Sequence, residues 1–406
     1  MKLILHLQRY GAVLLLPVMF LLLFGGCEPG TNPDDSHEHD HDAEAWLWAF
    51  DDDNGDVIIY DSHEGIAEKT YTASAFPMMH CFMAGPAMTP TLWMAKTSTA
   101  YAFTTGFDLS HGDHAHRETP EVFATVSLGS SPVHMGSTPS GDTVAFANDE
   151  DQTVSIIDVS SKSVVATVSH GSGHSSALLT GDYLITHAAT GSGETWAKIV
   201  DIAKDSVLDS LTIGTGAHGE AYYDSGKKAF IACSDGIYFI DVADRSAGGS
   251  IAYTETGRTN FLYHGRTGSL AVGLHKTDAG TSDKLLLLDM DNESLDYLTI
   301  SGAVLTWNIS TGQFALSADG TVAVISDNES ARIYHVTLAT KEVITLKAPA
   351  AACAIATNAD GTFVWALSGS KVSIIEVDEN EIAESFDIDD DADWIYITSS
   401  AVEVVE

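Results

Sequence analysis

Short apolar strand segments recur through the sequence with a period of roughly 40 residues, and this repeat limits the fold more than any other feature. The clearest unit covers residues 134–168 and contains four such segments separated by polar turns. Several units carry an acidic residue directly after the third segment, as Asp201 and Asp241 do. This period in an all-strand chain is typical of a β-propeller, in which each four-stranded blade needs neighbours to cover both faces.

The two ends of the repeat region complement each other. Residues 46–73 offer three strands with no inner strand before them, whereas residues 393–398 offer one inner strand with nothing after it. Pairing these two segments adds an eighth blade to the seven complete units. In the first complete unit, we predict that the inner strand starts near Thr91, ahead of Tyr101. We therefore predict an all-β, eight-bladed β-propeller over residues 45–406, closed by pairing of the N-terminal strands with the C-terminal strand. A seven-bladed ring is the alternative, and a β-helix or two β-sandwiches fit the repeat less well.

The first residues have the pattern of an export signal. Basic residues precede an apolar run over residues 12–24, and two glycines stand before Cys27. This arrangement resembles a bacterial lipobox, which implies cleavage before Cys27 and a diacylglycerol on its sulfur. We expect residues 1–26 to be a lipoprotein signal peptide and residues 27–44 to be a lipidated, flexible tether rich in His and Asp. The expected location is the periplasmic face of the outer membrane or the cell surface.

The charge balance limits the partners. Asp and Glu number 57 against 19 Lys and Arg, which gives a formal net charge of −38. Nucleic acid is excluded as a partner because phosphate binding needs clustered Lys and Arg. Cations suit such a field better, and the alternative is that the acidity only keeps an exported protein soluble.

Three histidines fall at equivalent places in the repeat. When the units are aligned on the inner hairpin, His134, His174 and His218 stand at or within one residue of the same position in three consecutive blades. The starts of inner strands converge on the channel of a propeller, so we predict that the imidazoles meet there and bind a metal. A carboxylate or thiol would complete a tetrahedral zinc site, and the same position falls near Asp393 and Cys353 in other blades. The alternative is that polar residues at the channel mouth bind only water and loop carbonyls.

Two more groups of histidines lie outside the repeat. One group is in the insertion after Phe107, where closely spaced imidazoles and a carboxylate can wrap a second cation: His111, Asp113, His114 and His116. The other alternates with acids in the tether and is expected to bind cations weakly: His37, His39 and His41. The alternative for both groups is a solvated segment without metal.

Catalytic motifs are missing from the sequence. It has no Gly-x-Ser-x-Gly elbow, Walker loop, dinucleotide glycine pattern or His-Glu-x-x-His helix in a fitting context. Three His ligands with an open fourth position also describe a zinc hydrolase, but a clear general base is lacking. Glu220, two residues after His218, is the nearest acid, and we assign it to orienting His218. Enzyme activity is therefore not expected.

Several of these segments resemble a known family. The matched segments are Trp46-Leu-Trp-Ala-Phe, His111-Gly-Asp-His, Pro132-Val-His, Gly173-His and His218-Gly-Glu-Ala, followed by Cys233-Ser-Asp-Gly. They are similar to segments of the AztD-like zinc metallochaperones of the periplasm, and the resemblance covers most of the chain after residue 45. It implies a propeller that holds zinc between histidines and a carboxylate and passes it to a solute-binding protein. In that family a Cys before the His-Gly-Glu segment pairs with the later Cys, whereas Thr-Gly-Ala occupies residues 215–217 here, so Cys233 lacks that partner.

We therefore expect a zinc-binding lipoprotein that buffers zinc or transfers it to a partner, such as the solute-binding protein of a zinc ABC transporter. We further expect a monomer that contacts the membrane only through its lipid anchor. The alternatives are a propeller that acts as an interaction scaffold without physiological metal, and a metal-dependent hydrolase. A scaffold should retain no metal after dialysis, and a hydrolase should lose turnover on chelation.

Overall fold

The computed structural model describes most of the repeat region. It covers residues 45–51, 55–72, 82–84, 91–108, 116–189, 193–225, 227–259, 261–265, 268–276, 281–306, 312–327, 330–388 and 392–399. These residues form strands and turns, with no helix among them. No described segment is a helix long and apolar enough to span a membrane. The strands build eight main sheets arranged as the blades of a β-propeller, which confirms the preferred blade count over seven.

Each blade runs from an inner strand at the channel to an outer strand, and the chain then enters the inner strand of the next blade. We number the blades from the first that is built from consecutive strands. In chain order, blade 8 contributes β1 (Ala45–Asp51), β2 (Asp56–Asp61) and β3 (Ala67–Thr72); blade 1 has β4 (Phe82–Ala84), β5 (Thr91–Lys96), β6 (Thr99–Thr104) and β9 (Val122–Ser127), with the hairpin strands β7 (Phe107–Asp108) and β8 (His116–Arg117) between the last two; blade 2 has β10 (Pro132–Ser137), β11 (Thr143–Asn148), β12 (Thr153–Asp158) and β13 (Ser163–Ser169); blade 3 has β14 (Leu178–Thr180), β15 (Tyr183–Ala189), β16 (Glu194–Asp201) and β17 (Ser206–Thr215); blade 4 has β18 (Glu220–Tyr223), β19 (Lys228–Ala232), β20 (Gly236–Asp241) and β21 (Ser246–Ala252).

The remaining blades follow the same order. Blade 5 has an inner strand in two pieces, β22 (Arg258–Thr259) and β23 (Tyr263–His264), then β24 (Leu270–Lys276), β26 (Lys284–Asp289) and β27 (Ser294–Thr299), and the short strands β25 (Thr281–Ser282) and β28 (Leu305–Thr306) pair with each other; blade 6 has β29 (Phe314–Leu316), β30 (Val322–Asp327), β31 (Arg332–Thr337) and β32 (Glu342–Lys347); blade 7 has β33 (Ala354–Thr357), β34 (Phe363–Ser368), β35 (Lys371–Glu376) and β36 (Glu381–Asp387); and β37 (Trp394–Ser399) completes blade 8.

Blade 8 joins the two ends of the described chain, as the sequence predicted. The inner strand β37 pairs antiparallel with β1, with Leu47 opposite Ile397 and Phe50 opposite Trp394. Four antiparallel strands return the chain to the rim from which the blade started. All inner strands therefore begin at one rim of the ring, which we call the start rim, and end at the other, the end rim.

Packing is the main contact between one blade and the next. Within the described residues no backbone ladder joins two main sheets, and eight hydrophobic clusters each join residues of two neighbouring blades. Trp48, Trp93 and Trp365 are among the largest side chains in these clusters, and each is at most 1% exposed. Burying a large apolar side chain contributes about 1.5–3 kcal/mol. Because the middle strands are covered on both faces, they read as continuous apolar runs, as β1 does.

The backbones of two neighbouring blades come very close at Gly136. A Cβ atom at this position of β10 would lie 2.0 Å from the carbonyl oxygen of Ala177, just before β14. A carbonyl of the backbone cannot move aside as a flexible side chain can. Only glycine therefore fits at this contact between blades 2 and 3.

The recurring acid after the third strand has a structural role in the turn. In seven blades the residue four positions after that strand has positive φ: Gly65, Lys162, Asp205, Arg245, Glu293, Lys341 and Asn380. In five of these turns the strand ends in an Asp whose carboxylate accepts a hydrogen bond from a backbone N–H two or three residues on: Asp61, Asp158, Asp201, Asp241 and Asp289. Such side-chain bonds favour a tight turn over continued strand.

Blade 1 departs from the sequence prediction in two ways. Its inner strand is the three-residue β4, so Thr91 starts the second strand and Tyr101 lies in the third; the prediction that Thr91 begins an inner strand is wrong. β4 is too short to give a strand signal. The common turn is also replaced, because β7 and β8 form the stem of an insertion.

The stem of this insertion is attached to blade 8 at the end rim. The Arg117 guanidinium forms an ion pair with Asp61 at 2.6 Å, donates to the carbonyl of Ala45 at 3.3 Å and lies 3.7 Å from the ring centroid of Trp46. Ala45 is paired with Ser399, the last residue of an inner strand, which identifies the rim. Arg117 thus links the insertion to the blade that closes the ring.

Candidate metal centre

The three histidines predicted to converge all lie at the start rim. His134 is in β10, whereas His174 and His218 lie just before β14 and β18, the inner strands of the next two blades. Glycines in the left-handed region shape the backbone beside two of them, with φ of 116° at Gly173 and 96° at Gly219. His218 is held further because its N–H donates to the carbonyl of Ala232 at 2.8 Å. Local turn chemistry therefore aims residues of three blades at one point.

The structure brings the three imidazoles together. One ring nitrogen from each of His134, His174 and His218 lies within 4.8 Å of the other two, and no other group of three or more His, Cys, Asp or Glu with this property occurs among the described residues. Nε2 of His134 and Nε2 of His174 are 2.8 Å apart, so one proton lies between them. The ring of His218 stacks on that of His174 at a centroid distance of 5.1 Å.

The donor set fits a tetrahedral ion after a small adjustment. Zn–N bonds of about 2.0–2.1 Å at tetrahedral angles separate two nitrogens by about 3.3 Å, so His134 and His174 would move apart by about half an ångström when an ion replaces the proton. Three neutral imidazoles with an open fourth position form a recognised zinc geometry. The arrangement can therefore hold a metal of this class.

Asp149 fixes one of the histidines from behind. Its Oδ2 accepts from Nδ1 of His174 at 2.6 Å, while its Oδ1 accepts from the backbone N–H of Ser175 at 3.2 Å. The hydrogen bond to the carboxylate raises the pKa of His174 against the effect of burial. Burial would raise the pKa of Asp149, but the hydrogen bond and charge of His174 lower it below its usual value. With Nδ1 bonded in this way, Nε2 of His174 is directed to the centre.

A buried acid–imidazole pair lies beside the histidines. Glu220 in β18 is two residues beyond His218, and its Oε2 is 3.4 Å from Nε2 of His187 in β15. The Glu220 side chain is only 12% exposed and the His187 side chain only 3%. Burial alone would raise the pKa of Glu220, but the hydrogen bond and charge of His187, with smaller effects of His134 and His218, hold it below the usual value. Glu220 is therefore an ionised carboxylate close to the centre, and its contact with His187 was not anticipated from the sequence.

The other predicted ligands are not in this group. Sγ of Cys353 donates to the carbonyl of Leu367 at 3.4 Å, and the backbone N–H of Asp393 donates to the carbonyl of Phe50. A fourth ligand from either residue stays a prediction. Cys233 and Cys353 are unpaired, and burial raises the pKa of the Cys233 thiol to about 12, which keeps it protonated.

Most of the remaining predicted residues lie outside the described part of the chain. In the insertion, His116 belongs to β8, whose backbone pairs with β7, and the rest of that group is outside. The residues outside are His37, His39, His41, His111, Asp113, His114, Cys27 and Cys81. The insertion stem is at the end rim and the three histidines are at the start rim, so they are at opposite ends of the channel.

Fold and site together define an eight-bladed β-propeller with a three-histidine candidate metal centre at one rim of its channel. No protein-family model and no curated protein matches the chain. Among solved structures, it is similar to apo AztD from Citrobacter koseri, with a TM-score of 0.70 and 14% identity over 88% of this chain and 99% of that one. A second Citrobacter koseri AztD structure gives the same TM-score and identity over 87% and 97%. The chain therefore has the AztD-like fold.

A more distant likeness shows that this fold alone does not decide the function. The dihydro-heme d1 dehydrogenase NirN is similar with a TM-score of 0.59 and 11% identity, over 86% of this chain and 74% of that one. Its name is that of an enzyme. Function must therefore be argued from the site.

Proposed function

We propose that this protein binds zinc through His134, His174 and His218 and buffers it or transfers it to a partner, without catalysing a reaction. The observation that carries the proposal is that imidazole nitrogens from three consecutive blades lie within 4.8 Å of one another. The three histidines converge because the inner strands of three separate sheets position them. Histidines that met on a surface by chance would not each be positioned by a different sheet.

Access to the site favours transfer. The His174 side chain is 44% exposed, so another protein or a chelator can reach a bound ion from the start rim. Ligand exchange needs such access, because the incoming donor must bind before the last imidazole leaves. The AztD-like fold, and the similarity of sequence segments to AztD-like zinc metallochaperones, support zinc as the cargo and a solute-binding protein of a zinc ABC transporter as the recipient.

The long-range field also favours a cation. A formal net charge of −38 raises the local concentration of divalent ions near the protein. We further propose that the chain is exported, lipid-anchored at Cys27 and located at the periplasmic face of the outer membrane or at the cell surface. The His- and Asp-rich segment over residues 27–44 would then collect zinc weakly near the anchor.

Metal analysis of His218→Ala tests the zinc site. The full chain, purified without an affinity tag, is dialysed and its retained zinc is measured, and the zinc dissociation constant is obtained by competition with a chromophoric chelator. The variant should lose the tight site, by more than the roughly 10- to 100-fold that removal of a hydrogen-bond partner of a ligand costs. His63→Ala is the matched control, because it removes an imidazole that contacts Glu384 in blade 7 instead.

Equal retention of zinc by His218→Ala and the wild type would refute the site. Transfer needs its own measurement. The zinc-loaded protein is mixed with a metal-free zinc-specific solute-binding protein in the presence of excess chelator. Zinc that reaches the acceptor despite the chelator supports direct transfer, whereas zinc found only on the chelator supports buffering.

A further inference from the structure

Two basic side chains face each other at the start rim of blade 5. Arg258 opens the inner strand β22, and its partner across the ladder is Lys276, the last residue of β24. Residues directly opposite each other in an antiparallel pair have Cβ atoms about 4.5–5.5 Å apart, and like charges at such positions destabilise a sheet. Burial and the charge of Arg258 lower the pKa of Lys276 below its usual value. The two cations are therefore close enough to repel each other.

No acid among the described residues neutralises these two cations, which we call the basic pair. Asp and Glu outnumber Lys and Arg by 57 to 19 in the sequence, and eight of the described Lys and Arg side chains form ion pairs with a carboxylate. The neighbouring Lys284 does so with Glu255 at 2.9 Å. Two repelling cations without a carboxylate partner in the described part of so acidic a chain indicate a place for an anion.

The basic pair lies beside the segment that carries His218. Nη1 of Arg258 is 3.8 Å from the place that a Cβ atom would take at Gly216, two residues before His218. Two residues of chain span at most about 7 Å, so this nitrogen is no farther than about 13 Å from the Cα of His218. The Debye length is about 30 Å at 0.01 M salt and about 8 Å at 0.15 M, so the two charges act on an anion that approaches the three histidines.

We infer that Arg258 and Lys276 receive a carboxylate of the molecule that takes zinc from the three histidines. The inference rests on the proposed function, because the incoming molecule needs an ion to take. A guanidinium can bind a carboxylate through two parallel N–H···O bonds, and the ammonium of Lys276 adds a further donor. The carboxylate also offsets the repulsion between the two cations. It holds the acceptor at the start rim while one of its donor atoms binds the ion and one imidazole leaves.

The overall charge of the protein makes the position of the basic pair important. A formal net charge of −38 repels anions from most of the surface. Two cations at the mouth of the channel offset this repulsion beside the histidines, so an acceptor that carries carboxylates is guided to the start rim. A neutral acceptor gains nothing from them. The basic pair therefore selects the acceptor by its charge, whereas the histidines select the metal.

Zinc removal by two chelators of different charge tests the inference on the full chain. The zinc-loaded protein is mixed in a stopped-flow instrument with nitrilotriacetate, which has three carboxylates, or with 1,10-phenanthroline, which is neutral. The double variant Arg258→Gln/Lys276→Gln should lose zinc to nitrilotriacetate about three- to tenfold more slowly than the wild type at about 10 mM salt, and within about twofold of it at about 0.5 M. Removal by phenanthroline should stay within about twofold of the wild-type rate at both salt concentrations.

A second pair of the same residue types is the matched control. Arg332 and Lys347 are also directly opposite each other at the start rim, but in the two outer strands of blade 6. Arg332→Gln/Lys347→Gln removes the same charge, so it separates a local effect from a change in net charge, and both of its rates should match the wild type. The variant of the basic pair should unfold at the wild-type temperature or above it, since a like-charge pair is removed.

Three results would overturn the inference. The first is a variant of the basic pair that loses zinc to nitrilotriacetate at the wild-type rate, and the second is an equal slowing of both double variants. The third is a rate that does not depend on the chelator concentration, because zinc then leaves before the chelator arrives. A wild-type chain that retains no zinc contradicts the proposed function itself.

Two chelating peptides identify the source of the carboxylate. One has three histidines separated by glutamates, and the other has the same histidines separated by glutamines. A faster removal by the glutamate peptide that disappears in the variant of the basic pair supports a side chain of another protein as the occupant. Equal rates for the two peptides, with nitrilotriacetate still slowed by the variant, support a small carboxylate.

Discussion

Replacing Asp149 by Asn should weaken zinc binding more than replacing it by Ala. The Asp149 carboxylate accepts from Nδ1 of His174 at 2.6 Å, and its other oxygen accepts from the N–H of Ser175 at 3.2 Å. The backbone N–H of Ser175 should keep the amide oxygen of Asn on its own side, so the NH₂ group faces Nδ1. His174 must then take the tautomer with the proton on Nε2, the atom that binds the ion.

The structure also sets the size of the two effects. Loss of a hydrogen-bond partner of a metal ligand costs about 10- to 100-fold in affinity, or about 1.4–2.7 kcal/mol. His174 is 44% exposed, so solvent screens part of the lost charge, and we expect about tenfold for Asp149→Ala. Asp149→Asn should reach about 100-fold, because it also blocks the donor atom.

Chelator competition at pH 8 measures both dissociation constants, with thermal unfolding to check that each variant is folded. Asp151→Asn is the matched control, since Asp151 is two residues away and accepts from the N–H of Ser130 instead. The carboxylate raises the pKa of His174, so the zinc affinity of the wild type should begin to fall at a higher pH than that of the variants, and the difference in affinity should narrow as the pH is lowered. An affinity of Asp149→Asn equal to that of Asp149→Ala would refute the tautomer argument, and one within twofold of wild type would refute the role of the carboxylate.

Two further predictions concern the ring. Gly136→Ala should lower the free energy of unfolding by about 2 kcal/mol, because its Cβ would lie 2.0 Å from the carbonyl oxygen of Ala177. Gly181→Ala is the control: a Cβ there meets nothing within 4 Å, and the φ of +61° should cost only about 1 kcal/mol. Equal thermal midpoints of the two variants would contradict the clash. Arg117→Ala should cost about 1–2 kcal/mol at pH 7 through the lost ion pair and cation–π contact. Burial alone would raise the pKa of Asp61, but hydrogen bonds from the backbone and the Arg117 guanidinium hold it below its usual value. The ion pair therefore stabilises the fold above about pH 4, and this contribution should fade at lower pH. Unfolding measured against pH checks this, and a difference between variant and wild type that stays constant with pH would contradict the ion pair.

The fold could be predicted from local signals, because strand period and turn residues are local properties. The closure of the ring could be predicted by counting the strands of each unit. The N-terminal unit, β1, β2 and β3, lacks an inner strand, and β37 supplies it. The error in blade 1 also has a local cause. Its inner strand has only three residues, Phe82–Ala84, so the next strand was mistaken for it.

The site was only partly predictable. Alignment of the repeats indicated that His134, His174 and His218 converge, since equivalent inner-strand positions share one rim. Asp149 was missed, although the sequence held a signal for it. Asp149 directly follows β11, the second strand of blade 2, and the turn after a second strand lies at the start rim, beside the residues that lead into the inner strand of the next blade. The contact of Glu220 with His187 and the stacking of His218 on His174 depend on how neighbouring blades are rotated, and no sequence spacing reports that angle.

The pairing of Ala45 with Ser399 puts the first described residue at the end rim, whereas His134, His174 and His218 lie at the start rim. The seam between β1 and β37, which closes the ring, and the three imidazoles therefore face opposite mouths of the channel at these residues. A protein that takes the ion at the start rim can dock there without displacing Ala45 from Ser399.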